Sequence, residues 1–114
     1  MCSPVLLEKI TKEVATKAQE ILGNRLREVI LYGSYARGDF DDESDIDIMV
    51  LADVKESELY ELGKMLSEIS SDICIETGEV VCILINNKSL FEERLPILPF
   101  YRNVVNEGVR IYAA

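Results

Sequence analysis

Two short β-favouring runs joined by a polar segment constrain this chain more than any other feature. Val29-Ile30-Leu31-Tyr32 stops at Gly33-Ser34, a polar stretch runs from Arg37 to Ser44, and Ile46, Ile48, Met49, Val50 and Leu51 form the second run. β-branched and aromatic residues suit a pleated, half-buried backbone, so both runs are predicted strands. On either side lies a segment of helical period. Leu6, Ile10, Val14, Ala18 and Ile21 recur every three or four residues, with Ser3 as N-cap, Pro4 at the first helical position and Gly23 suited to the end, which predicts a helix over 4–22. Leu59, Leu62, Leu66, Ile69 and Ile73 keep the same period to about Thr77, where Gly78 can end the helix.

Val80 to Ile85 is too short for a typical helix and rich in β-branched residues, so it reads as a third strand buried on both faces. Ser89 to Arg94 has room for one or two helical turns. Pro99 starts another helix through Asn106, ended by Gly108, with Val109 to Tyr112 as a terminal strand. The predicted order, αββαβααβ, gives an α/β or α+β fold: a small mixed sheet with helices packed on it. No repeat, low-complexity tract or linker interrupts the 114 residues. One domain over 1–114 is expected, burying roughly two-thirds of its unfolded surface.

Charge and composition narrow the chemistry. Lys plus Arg number 12 against 21 Asp plus Glu, a net charge of −9 whose field repels phosphate backbones and argues against general nucleic-acid binding. No apolar run approaches the roughly 20 residues that span a bilayer, and no basic segment followed by an apolar one opens the chain. The odd set Cys2, Cys74 and Cys82 holds no CxxC pair and suits free thiols in a reducing cytoplasm. There is no histidine, which excludes Ser-His-Asp and Cys-His catalysis and His-ligated zinc. Carboxylates remain as the plentiful reactive groups.

The segment from Gly33 to Asp47 concentrates what is specific. Side chains alternate along a strand, so Asp45 and Asp47 share one side, with Cα atoms about 6.5–7 Å apart, while Ile46 and Ile48 enter the core. Two carboxylates facing one space repel unless a cation lies between them, and Mg²⁺ takes oxygen ligands while also bridging to substrate phosphates. Gly33 lets phosphate oxygens approach the backbone. If Ser34 opens a helical turn, its hydroxyl and the N–H groups of Tyr35 and Ala36 make an anion site, with the fork-shaped cation of Arg37 beside it. A phosphate binder and a metal binder joined by one loop suit transfer from a nucleoside triphosphate. The acidic group Asp39, Asp41, Asp42 and Glu43 reads as a solvated loop, with Asp39 ordering it beside Arg37. Tyr35 reads as a packing or variable loop residue, Cys82 as a small buried hydrophobe, and Tyr101 and Arg102 as a solvated face.

Gly33, Ser34, Ala36, Arg37, Gly38, Ser44, Asp45 and Asp47 together resemble the G-S-x-A-R-G…S-D-x-D signature of the polymerase-β-like nucleotidyltransferase superfamily. In order and length the chain looks like the minimal nucleotidyltransferases, commonly paired with a helical HEPN-type toxin. The resemblance implies transfer of AMP from ATP, with Mg²⁺, to a tyrosine of the partner, which silences its RNase activity. It implies Asp45 and Asp47 as catalytic and metal-binding, and Gly33, Ser34 and Arg37 as holding the triphosphate. Full catalytic members carry a third carboxylate on the strand after the second helix. Here that strand holds no internal acid, and Cys82 or Val81 lies where the acid is expected. A thiol is a poor ligand for a hard cation. Glu79, at the leading end, substitutes only if register or tilt carries it toward Asp45 and Asp47. Two alternatives follow: a catalytically weakened nucleotide-binding antitoxin that neutralises its partner by binding, and a small-molecule transferase of the aminoglycoside-modifying kind. A homodimer that builds a pocket between subunits is a further option.

Overall fold

Ser3 starts the first helix as its sequence position suggests: the Ser3 hydroxyl accepts a hydrogen bond from the Leu6 N–H at 3.1 Å, and Pro4 occupies the first turn. The computed structural model describes residues 2–114. Its elements are α1 (Pro4–Leu22), β1 (Leu26–Tyr32), α2 (Ser34–Arg37), β2 (Ile46–Ala52), α3 (Leu59–Thr77), β3 (Val81–Asn87), α4 (Lys88–Arg94), α5 (Pro99–Glu107) and β4 (Val109–Ala113), with 3₁₀ turns at Gly23–Arg25 and Glu56–Glu58. The order matches the sequence expectation, with the turn after β1 now a short helix of its own. Asn87 caps α4 by accepting from the Leu90 N–H at 3.0 Å.

The four strands form one mixed sheet in the order β3-β2-β1-β4. β1 runs antiparallel to both β2 and β4, and β2 runs parallel to β3, the crossover being α3. Alternation splits β2 between two cores. Ile46, Ile48 and Val50 meet Ile10 and Val14 of α1 and Leu62 and Leu66 of α3. Met49 and Leu51 meet Ile30 of β1, Phe91 of α4 and Val104 of α5 on the opposite face. Asp47 belongs by alternation to this second face and is half-buried there.

β3 corrects the sequence reading. Val81 and Ile83 are buried, but Cys82 and Leu84 are exposed, so only one face of the strand is covered. β3 lies at the sheet edge, and the small core under α4 and α5 draws on β1 and β2 alone. Cys82 is therefore not the buried hydrophobe expected. Among the described residues, no helix is long and apolar enough to cross a membrane.

A polar clasp joins three elements over the second face. Glu28 of β1, with a side chain only 12% exposed, accepts from Lys88 Nζ at 2.8 Å and forms an ion pair with Arg110, whose Nε lies 2.7 Å from its carboxylate. The Glu28 carboxylate, followed by burial's smaller opposing effect, holds the Lys88 ammonium above its ordinary value. Glu28→Gln is expected to lower stability by about 1 kcal/mol, read as a lower urea midpoint at unchanged slope. Because the folded-state value of Lys88 is raised, its contribution is complete below about pH 10.4 and is lost as pH climbs through the raised value.

Candidate active site

The chain leaves β1 through a turn that only glycine enters easily. Gly33 has φ 76° and ψ −157°. Its carbonyl accepts from the N–H groups of Ala36 at 3.1 Å and Arg37 at 3.0 Å, and Gly38, at φ 87°, closes the turn by donating to the Ser34 carbonyl at 2.9 Å. Ser34 does open a helical turn. Of the two N–H groups expected to face an anion, however, that of Ala36 is engaged within the turn, which leaves the one on Tyr35. Tyr35 is a packing residue: its ring stacks on Phe40 at 4.5 Å and its hydroxyl accepts from the Cys2 N–H at 3.1 Å. Those contacts pin α2 and leave Ser34 and Arg37 toward the open side.

β2 brings the carboxylates to that turn. Asp47 pairs with Tyr32 of β1 on one side and with Cys82 of β3 on the other. A Cβ built on Gly33 would overlap the Asp47 carboxylate, so this carboxylate lies directly against the turn's backbone. Asp45, exposed and one residue before β2, is close enough to act on it. Burial first, and the Asp45 charge second, push the Asp47 carboxyl above the ordinary range, while Arg37 works the other way. Burial and the Asp47 charge likewise hold the Tyr32 hydroxyl well above the usual phenol range. Burial and both aspartates raise the Cys82 thiol.

Glu79 is not brought to this pair. Its backbone N–H donates to Thr77 Oγ1 at 3.1 Å, just past the end of α3, and it forms no carboxylate triad with Asp45 and Asp47. Among the described residues there is no group of three or more His, Cys, Asp or Glu that could hold a metal ion. A two-carboxylate set nevertheless fits Mg²⁺, which is commonly held by one or two carboxylates with substrate phosphates and water completing the shell. The like-charge pressure on Asp47 is what such a cation would relieve.

The tertiary fold adds a wall that local sequence did not announce. Arg37 Nε reaches Asp39 Oδ2 at 3.2 Å and Arg37 Nη1 reaches Glu107 Oε2 of α5, also at 3.2 Å, and hydrogen bonds to these carboxylates raise the guanidinium's pKa further. Gly108 makes this approach feasible, since a Cβ there would overlap the Val104 carbonyl and Ile30. Tyr32, Gly33, Ser34, Arg37 and Asp47 thus face Phe100, Asn103, Val104 and Glu107 across a cleft of about 360 Å³. A roomier apolar groove of about 620 Å³, between α3 and the β3 edge, contains none of the candidate residues. The acidic loop is exposed and internally ordered, with Asp41 Oδ1 accepting from the Glu43 N–H at 2.9 Å. Tyr101 stacks on Phe91 at 4.5 Å, rather than standing in solvent, and Arg102 Nη1 donates to the Pro96 carbonyl at 2.8 Å.

Comparison with known proteins agrees with this geometry. Residues 7–109 match the family described as "Nucleotidyltransferase domain". The chain is 32% identical over 105 residues to "Putative protein adenylyltransferase MJ0604" of Methanocaldococcus jannaschii, covering 92% of this chain and 97% of that protein. Its fold resembles a crystal structure of a putative nucleotidyltransferase from Sulfolobus solfataricus, with a TM-score of 0.64 at 23% identity, covering 96% of this chain and 82% of the other. It also resembles a crystal structure of a toxin-antitoxin with AMP-PNP, with a TM-score of 0.54 at 19% identity, covering 90% of this chain and 73% of that one. With a signature turn, a carboxylate laid against it and a family match over nearly the whole length, the chain belongs to the nucleotidyltransferase domain family.

Proposed function

We propose that this nucleotidyltransferase, as a single domain over 1–114, moves AMP from ATP with Mg²⁺ onto a tyrosine hydroxyl of a HEPN-type helical toxin, acting as the antitoxin of a cytoplasmic pair. The observation that carries the reading is the seating of the Asp47 carboxylate on the Gly33 turn, which supports a metal-binding role for the one beside a phosphate-binding role for the other. In this reading Asp45 and Asp47 hold the metal, Ser34 and the Gly33 backbone hold the triphosphate, and Arg37 balances its charge. Bound Mg²⁺ would neutralise phosphate charge. The acceptor oxygen bonds to the α-phosphorus as the bond from that phosphorus to the pyrophosphate oxygen breaks. Pyrophosphate departs, and the hydroxyl proton passes to solvent.

A protein acceptor is supported by the shape of the site and by its relatives. α5 walls one side of the cleft, while Cys82 and Leu84 leave the β3 side exposed for an acceptor to approach. A relative covering 92% of the chain is named a protein adenylyltransferase, and a structural neighbour is a toxin-antitoxin with AMP-PNP. A second reading, a module that neutralises its partner by binding, is favoured by the thiol rather than a carboxylate opposite Asp47. Incubation with the toxin and ATP labelled at the α-phosphate separates the two. Label on the toxin, lost with Asp47→Asn, supports transfer; inhibition without label supports binding alone; label confined to an added aminoglycoside overturns both.

Arg37 must turn from Glu107 toward phosphate in this scheme. The pair is half-exposed at 3.2 Å, so it holds the side chain weakly. Glu107→Gln is expected to tighten ATP binding by up to about fivefold at low salt, with the gain shrinking as salt rises, measured by titration calorimetry.

A further inference from the structure

We infer that α5 reads the nucleobase, through Phe100 as a stacking surface and Asn103 as the group that selects adenine; the inference rests on the nucleotide site proposed above. The cleft has two unlike walls. Gly33, Ser34 and Arg37 offer backbone, hydroxyl and cation, which suit phosphate. The α5 wall offers a ring and an amide, which suit a base.

The proximity of Arg37 to Glu107 shows the register between the walls: the C-terminal end of α5 lies at the phosphate-binding side. Asn103 lies four residues before Glu107 and Phe100 seven before it, so they stand roughly 6 Å and 10 Å further along the helix. Residues at these spacings share one helical face. A triphosphate held at Ser34 and Arg37 therefore directs its nucleoside along Asn103 toward Phe100.

Both side chains are in a state to receive one. Phe100 is 46% exposed although its ring is oriented by Tyr32, edge to face with centroids 5.6 Å apart. Asn103 lines the cleft and is exposed, and its amide has no hydrogen-bond partner among the described residues. Every base presents a face to an aromatic ring, so Phe100 supplies affinity without preference. A carboxamide presents a donor and an acceptor together, which N7 and the N6 amino group of adenine answer on the base's N7 edge, whereas on that same edge the O6 and N7 of guanine are both acceptors.

The test is calorimetric titration of wild type, Asn103→Ala and Phe100→Leu with ATP, GTP and inorganic tripolyphosphate, each with Mg²⁺. Asn103→Ala is expected to weaken ATP about tenfold and leave GTP unchanged, erasing the preference between them. Phe100→Leu is expected to weaken both nucleotides by about tenfold. Tripolyphosphate, which has no base, should bind all three proteins alike, and this also reports that the variants are folded. Wild-type ATP affinity in both variants, equal loss of tripolyphosphate, or a wild type indifferent to the base would overturn the inference while leaving the phosphate site intact. A wild type that binds neither ATP nor tripolyphosphate removes the nucleotide site and this inference together.

Discussion

Asp47→Asn is expected to abolish adenylyl transfer while raising the Tm of the protein measured without Mg²⁺. Outer-shell partners of a metal site cost roughly 10–100-fold in affinity or activity when removed, and loss of a ligand, the role proposed above for Asp47, should exceed that. The opposite sign for stability comes from the same placement. Asp47 is partly buried at the start of β2, with Asp45 beside it and the Gly33 backbone against it, and its carboxyl is held above the ordinary range. An acid with a raised folded-state value destabilises the fold once ionised. That penalty is present at neutral pH and fades as pH falls through the raised value, so the advantage of the amide variant should shrink on acidification. Thermal melts over a pH series, with and without Mg²⁺, read this directly. Added Mg²⁺ should raise the wild-type Tm and leave Asp47→Asn unchanged. A variant that melts below wild type at neutral pH would show that the carboxylate carries no uncompensated charge.

Gly33→Ala is expected to damage both fold and activity. Two causes add. An alanine at φ 76°, ψ −157° occupies a region open essentially to glycine alone, a strain of about 1–3 kcal/mol. Its Cβ would also overlap the Asp47 carboxylate, so that side chain must swing away from its seat on the turn. Displacement of a positioned group by about 1 Å can lower a rate roughly 100-fold, and the group displaced here is the Asp47 carboxylate. The measurements are the urea midpoint and kcat/KM for transfer. Pairing Gly33→Ala with Asp47→Gly removes the overlap but keeps the backbone strain, so the double variant should recover part of the lost stability. If Gly33→Ala kept wild-type stability and rate, the close seating of the carboxylate on the turn would be wrong.

The fold was legible where neighbours in the chain decide the outcome. Ser3 and Pro4 begin α1, Gly78 ends α3, and Pro99 and Gly108 bracket α5, each through the local backbone geometry that these residues permit. Alternation from Ile46 onward gave the two faces of β2, one lined by Ile46 and Ile48 and the other by Asp47 and Met49. The run from Val80 to Ile85 misled because continuous apolar character reads the same on an edge strand as on a central one. Its position at the sheet edge, and the small reach of α4 and α5, left Cys82 and Leu84 uncovered.

The candidate residues from Gly33 to Asp47 could be gathered into one site from spacing because a turn and an adjoining strand keep them within a short length of chain. Glu107, Asn103 and Phe100 could not. Arg37 and Glu107 are 70 residues apart, and nothing within either segment encodes their meeting. Their contact depends on α5 packing Val104 against Ile30 and Met49, and on Gly108 permitting the close return to β1. Short-range geometry is set by steric preferences of the backbone and its nearest side chains. The second wall of the cleft arises only when distant apolar faces are buried against one another, and that burial is a property of the folded whole.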